Sequence, residues 1–189
     1  MKENYVKGIM KEFYVKGLEE KEIYRHFIDI MLAYSEAFSL VYYRKTGKEK
    51  ERRSIKSIKR ILEPHKIYSE NVLKWPGTTI LQKSQDQIYD LSVYRFVDID
   101  WNVIDALENA KSLWAWDYPL LPMDLAFYRE GYAWFYSTTH ENINHLFLNL
   151  ENNSNFLSIS DLESVGIELV YKKDIEASSL YYDEKARVI

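Results

Sequence analysis

The amino-acid sequence predicts one α+β domain over residues 1–189, with a helical N-terminal half packed on an antiparallel sheet in the C-terminal half. Three observations carry this. A chain of 189 residues with 47% hydrophobic and 29% charged side chains can bury one core. It has only 6 Gly and 4 Pro, too few for a turn-dense β-sandwich or for disorder. Apolar residues recur at helical spacing up to Leu62, whereas aromatic runs punctuated by Gly dominate after Ile88. The division is a helical part over 1–70 and a mixed part with a β-hairpin over 88–171.

The first 17 residues hold Tyr5-Val6-Lys7-Gly8 and its single echo Tyr14-Val15-Lys16-Gly17, too short for a repeat and readable as helix or strand. From Glu19 to Arg44, Ile23, Phe27, Ile30, Met31, Tyr34, Phe38 and Val41 trace the stripe of an amphipathic helix. Glu19, Glu20 and Glu22 suit its N-terminal dipole, Arg44 and Lys45 its C-terminus, and Gly47 a stop. A second helix is expected over Lys48–Leu62, with Ile55, Ile58, Ile61 and Leu62 inside, and Pro64 ends it. The joint at Gly47 suggests an antiparallel helical hairpin, or equally a joint open toward a right angle.

Leu73–Gln87 reads as a connection and Ile88–Val97 as a strand. Asp98 or Asp100 caps a helix that starts at Trp101, carries Trp101, Ile104, Leu107 and Lys111 on one side and ends near Leu113. Pro119 and Pro122 keep Trp114–Pro122 irregular. Asp124–Tyr128 and Tyr132–Thr138 flank a turn at Arg129-Glu130-Gly131, a hairpin signal, and His145–Leu150 returns as a third strand. A polar loop at Asn152–Asn155, a short helix over Ser160–Val165 stopped by Gly166, and a strand over Ile167–Tyr171 follow. The tail after Lys172 is expected to be loose.

Glycine and cysteine positions exclude whole classes of chemistry. The nearest two glycines are nine residues apart, so no dinucleotide fingerprint, Walker A loop or G-x-S-x-G elbow exists. Without cysteine there is no disulfide, thiolate zinc site or cysteine nucleophile. Lys2, Lys7, Lys11 and Lys16 interrupt any apolar leader, and no uncharged apolar run reaches the length of a membrane span. The expectation is a cytoplasmic protein with no membrane association and no cofactor.

Two histidines five apart, His140 and His145, do not share a helix face or a strand face, and no metal site is expected from them. Asp98 and Asp100 share a strand face, as carboxylates of metal-dependent nucleases do, but Glu168 has Val170 where the Glu-x-Lys pattern needs lysine. Between Arg44 and Lys66 ten Lys and Arg face three Glu, although the chain as a whole carries −4. The basic helix over 48–62, with Arg52, Lys56, Lys59 and Arg60, suits a phosphate backbone or an acidic partner; interleaved Glu49, Glu51 and Glu63 favour a solvated face, and nucleic acid is not expected.

Aromatics are abundant, with 16 Tyr, 8 Phe and 5 Trp. Strict alternation places Tyr132, Trp134 and Tyr136 on one face of the hairpin and Ala133 and Phe135 on the other. Such faces are either core or contact surface.

Leu121-Pro122-Met123-Asp124-Leu125-Ala126-Phe127-Tyr128-Arg129, then Trp134-Phe135, Thr139-His140-Glu141 and Ser164-Val165-Gly166-Ile167-Glu168 resemble a group of uncharacterised bacterial proteins. Their signature is a Leu-Pro-Glu-Asp-Leu-x-Phe-Phe/Tyr hairpin, a return-strand Trp and a His-Glu pair. Met123 stands where that group has Glu, and the likeness covers residues 110 to 171. Some members carry a stage III sporulation label, and others look like immunity proteins of toxin systems.

The missing cofactor motifs, the acidic body, the Tyr/Trp-rich hairpin face and the resemblance together lead to the expectation of a non-enzymatic protein-binding protein, an immunity-type inhibitor of a toxin. The acidic remainder of the chain suits a basic partner such as a nuclease toxin. Trp114, Trp116, Asp124, Arg129, Tyr132, Trp134, Tyr136, His140 and Glu141 are the candidate binding residues, with Asp124 bonding backbone amides and His140 reaching Asp124 or Asp117. One alternative is a metal-dependent hydrolase or nuclease using Asp98, Asp100, His140 and Glu141; the other is nucleic-acid binding through the basic helix.

Overall fold

The computed structural model describes residues 8–46, 52–82, 84–95, 101–150 and 157–187. The chain enters as a strand, β1 (Ile9–Lys16), turns at Gly17 into helix α1 (Lys21–Tyr34), and returns as strand β2 (Ala37–Lys45). Helix α2 (Arg53–Leu62) and a 3-10 turn at Glu63–His65 lead to strand β3 (Lys66–Asn71). A short two-stranded hairpin, β4 (Lys74–Trp75) and β5 (Thr78–Thr79), precedes β6 (Gln87–Arg95) and helix α3 (Trp101–Glu108). Strands β7 (Met123–Arg129), β8 (Tyr132–Thr138) and β9 (Ile143–Leu148) form a meander, followed by helix α4 (Ile159–Ser164) and strand β10 (Glu168–Glu176).

The α+β class is therefore correct, but its arrangement is not a helical half on a sheet half. One antiparallel sheet of order β10-β1-β9-β8-β7-β2-β6-β3 draws strands from the whole chain, and β1 sits between β10 and β9. The expected long helix stops at Tyr34, where Ser35 turns extended, and its second half is β2. Tyr34, Phe38 and Val41 fit helical spacing, yet Ala37 to Tyr42 are all buried. A strand covered on both faces is a continuous apolar run that periodicity alone does not separate from a helix. No helical hairpin forms, because β2 intervenes; Gly47, its expected joint, lies outside the described residues.

Each side of the sheet has its own cover. Phe38, Leu40, Tyr42, Leu125, Phe127, Leu146 and Leu148 point to a front face, where Phe27, Ile28 and Met31 of α1, Ile55, Ile58 and Leu62 of α2, Leu107 of α3 and Leu162 of α4 pack on them. Full burial of such side chains contributes ~1.5–3 kcal/mol each. The alternate residues Ala37, Val41, Leu91, Val93, Ala126 and Tyr128 face the back, which Trp75 of the β4–β5 hairpin and Ala186 of the C-terminal segment cover. Farther along the back face, Met10 and Phe147 pack with Ala177 and Leu180.

The tail is not loose. Strand β10 continues to Glu176, and residues 177–187 then cross the back face as a strap. Where β9 no longer pairs with β8, the strap takes its place: Ala133 N–H donates to Tyr181 O at 2.9 Å, and Asp183 N–H donates to Gly131 O at 2.8 Å. Tyr68 pairs with Asp183, and Lys185 with Glu70 at 2.6 Å, fastening the strap to β3.

Several local expectations hold: the β7–β8 hairpin with its turn at Gly131, the strand β9, and α4 stopped at Gly166. Helix α4 also carries a capping box between Ser158 and Asp161. Helix α3 ends at Glu108, one turn before the expected Leu113. Strands β1 and β3 were respectively undecided and unforeseen. The capping aspartates Asp98 and Asp100, the first residues of the expected second helix, and the Asn152–Asn155 loop lie outside the described residues.

Candidate functional site: two clefts on the back face

A β-bulge decides which aromatics face the back. In the β7–β8 pairing Phe127 opposes Phe135 and Tyr128 opposes Ala133, so Trp134 is the extra residue. Trp134 and Phe135 both enter the front core, while Tyr132 and Tyr136 turn to the back. The expected common face of Tyr132, Trp134 and Tyr136 is thus split. Trp134 is 1% exposed, and its indole N–H donates to Ser35 Oγ at 3.0 Å.

The other tryptophans of the predicted set are also on the front side. Trp116 is fully buried and donates to Tyr24 Oη at 2.7 Å, and Trp114 packs against the same core. Asp124 is buried at the start of β7 in a left-handed conformation, φ 56°. Its carboxylate accepts from Thr139 N–H at 2.9 Å and from Trp75 Nε1 at 2.8 Å. The expected bond to a backbone amide is therefore present, but the amide comes from the far end of the return strand. Burial raises the Asp124 pKa, and these two hydrogen bonds offset only part of that rise.

Among the described residues no hydrogen bond joins His140 to Asp124 or Asp117, though the charge of His140 acts on Asp124 from a distance. His140 lies on an exposed 3-10 turn, with Nε2 3.6 Å from a carboxylate oxygen of Glu141. Arg129 is half-buried at the hairpin tip. Helix α2 does present Arg53, Lys56 and Arg60 to solvent, whereas Lys59 lies over the Tyr42 ring, 4.6 Å from its centre.

Tyr136 is the predicted residue around which a site forms. It forms the wall between two clefts on the back face. The first, about 460 Å³, is lined by Trp75, Gly77, Thr78, Tyr181 and Tyr182 among others. The second, about 440 Å³, is lined by Glu12, His145, Phe147, Lys173 and the strap residues Ser179, Leu180 and Tyr181. Tyr136 is held in place: a Cβ on Gly77 would stand 2.9 Å from its ring, so the β4–β5 turn rests directly on it. Burial lifts the Tyr136 hydroxyl to about 12, so it stays protonated at neutral pH.

Composition and spacing missed the centre of the second cleft. Glu12 on β1 has a side chain only 6% exposed and accepts from His145 Nδ1 at 2.7 Å. Lys172 and Lys173 on β10 approach the same carboxylate at 3.2 and 3.7 Å. Burial opposes the charge on Glu12, but the hydrogen bonds and positive charges of His145 and Lys172 outweigh it and keep its pKa below the usual value. Burial lowers the His145 pKa, aided by the lysine charges and resisted by Glu12. At neutral pH the pair is therefore a carboxylate and a neutral imidazole. Glu12 accepts the Nδ1 proton, which leaves Nε2 as a lone-pair acceptor. That nitrogen has no hydrogen-bond partner among the described residues.

The signal that would have found this pair is the alternation Met10-Lys11-Glu12-Phe13, which puts Glu12 on a buried face once β1 is recognised as a central strand. No group of three or more His, Asp or Glu able to hold a metal occurs among the described residues. No helix among them is long and apolar enough to cross a membrane. No protein-family model, no curated protein and no solved structure matches the chain.

Proposed function

We propose that this chain is a non-enzymatic protein-binding protein of the immunity type, which holds a bacterial toxin against the back face of its sheet. The observation that carries the reading is the pair of adjoining clefts sharing Tyr136 and Tyr181 as walls. Tyrosine offers a large rigid ring and a polar tip, and loses little side-chain freedom on contact, which is why it is enriched at protein interfaces. Tyr136 is fixed by Gly77 before any partner arrives, so little ordering cost remains. The resemblance of residues 110–171 to immunity-like bacterial proteins points the same way, and the acidic net charge suits a basic toxin.

The test is co-expression with the protein encoded beside this chain in its genome. The neighbour alone arrests growth, the pair grows, and Tyr136→Ala with Tyr181→Ala loses protection while the chain remains folded. A neighbour that is harmless, or protection untouched by the double substitution, overturns the reading.

A further inference from the structure

The second cleft presents an acceptor that no other described residue uses. His145 Nε2 has no partner among the described residues, although its ring lines the cleft and its side chain is only 19% exposed. The imidazole is aligned with the Phe147 ring, 6.2 Å away at 4°, and lies against Tyr136 at 4.8 Å. Tyr136 and Phe147 are themselves 5.6 Å apart, so the three rings make one continuous aromatic wall.

The charges around this wall are largely spent on one another. From β1, Glu12 faces His145; from β10, Lys172 and Lys173 face Glu12; from β8 and the strap come the neutral Tyr136 and Tyr181. Asp174 and Glu176 of β10 also border the cleft, and Asp174 accepts from Tyr171 Oη at 3.1 Å. The space offers no bare charge at its centre to call for an ion. Its aromatic wall offers ring faces and the His145 lone pair, and Glu176 and Ser179 also line the cleft.

We infer that this cleft is an anchor pocket for a tyrosine side chain of the protein partner, whose phenol hydroxyl donates to His145 Nε2 while its ring lies on Tyr136 and Phe147. The inference rests on the reading of the back face as a protein-binding surface, and names the group that enters it. Buried aromatic anchors with a satisfied polar tip dominate the energetics of many interfaces. Glu12 acts as a positioning residue: it fixes the tautomer that leaves Nε2 an acceptor.

The probes are p-cresol, which has the ring and the donor, and 4-methylanisole, which has the ring without the donor. Followed through the His145 ring resonances of the intact protein at pH 8, p-cresol gives a saturable shift and 4-methylanisole binds about 10-fold or more weakly. His145→Phe removes that preference. Acidification that protonates His145 also removes it, because Nε2 then carries a proton. Equal binding of the two probes, or no binding of either, overturns the inference. The comparison is made on the unsubstituted chain, so it does not depend on a variant folding. A chain that prefers p-cresol yet fails to protect against the neighbouring toxin keeps the pocket and loses only the immunity reading. One that protects without the preference loses the pocket.

Discussion

The Trp75 indole N–H donates to the buried carboxylate of Asp124 at 2.8 Å, tying the β4–β5 hairpin to the first residue pair of β7. The same carboxylate accepts from Thr139 N–H, so one side chain joins the hairpin, the sheet and the turn after β8. Asp124→Ala leaves two donors unpaired and puts a Cβ residue with no polar side chain at φ 56°. The expected loss is ~1.5–3 kcal/mol, the range for hydrogen bonds to a charged group, read by urea denaturation at pH 7. Asp124→Asn tolerates the left-handed backbone and is milder.

Burial raises the Asp124 pKa above the ordinary aspartate value, so the folded state holds this proton more tightly than the unfolded chain. The associated stability is present below that value and is lost as pH climbs through the folded pKa. Asp124→Asn therefore shows a flatter stability profile above pH ~4 than the unsubstituted chain. Parallel profiles refute the raised pKa.

The bulge at Trp134 gives the next expectation. With Trp134 in the front core, Trp134→Ala costs ~3–5 kcal/mol, as for other buried large rings. Trp134→Phe keeps most of the packing and gives up the bond to Ser35, worth about 1 kcal/mol, so it costs far less than the alanine variant. Were Trp134 on the same face as Tyr132 and Tyr136, partly open to solvent, the alanine variant would lose far less. Chemical denaturation of both variants separates the two placements.

Legibility in the sequence followed how local each determinant is. The β7–β8–β9 meander was readable because Gly131 marks its turn and the aromatic runs mark its strands. Helix α4 was readable from Ser160 to Gly166 for the same reason. Strand β2 was not, since Ala37–Tyr42 is buried on both faces and its apolar residues carry no strand period of their own. The strap was not, because what orders it is distant: Gly131, Ala133, Tyr68 and Glu70. In the site, Tyr132 and Tyr136 do share a face as alternation expects, but Trp134 does not join them, since a bulge is set by the partner strand. Glu12 and His145 are 133 residues apart, and only the sheet order brings them together.

The strap itself is tested at Gly131. This residue sits at φ 83°, and a Cβ there would stand 2.8 Å from the Tyr182 ring and 2.9 Å from Asp183 O. The backbone oxygen is not the end of a flexible chain and must move with the strap. Gly8, at φ 101°, has nothing within 4 Å among the described residues, so alanine there meets backbone strain and no described neighbour. Gly131→Ala is expected to speed amide exchange at Ala133 and Asp183 by about 10-fold or more relative to Gly8→Ala. Equal exchange in the two variants shows that the strap does not depend on the close approach.

The Glu12–His145 pair predicts how acid weakens the protein. Glu12 has a lowered pKa, so its contribution is present above its unfolded value, near 4.5, and is lost as pH falls through the folded pKa. His145 also has a lowered pKa, so below about 6.5 the unfolded chain takes up a proton that the folded chain refuses. Both losses have the same sign and occur in sequence, first His145 and then Glu12, as pH drops. Glu12→Gln removes the carboxylate and leaves Lys172 and Lys173 without it. Breaking a fully buried pair costs ~3–5 kcal/mol; Lys173 is largely exposed, so ~2 kcal/mol is expected at pH 7. The deficit shrinks toward acid pH, where Glu12 is itself protonated. Because Glu12 supports the imidazolium, Glu12→Gln also moves the His145 titration midpoint further down, a shift read directly from its ring resonances. A midpoint that stays put or rises contradicts the hydrogen bond between them.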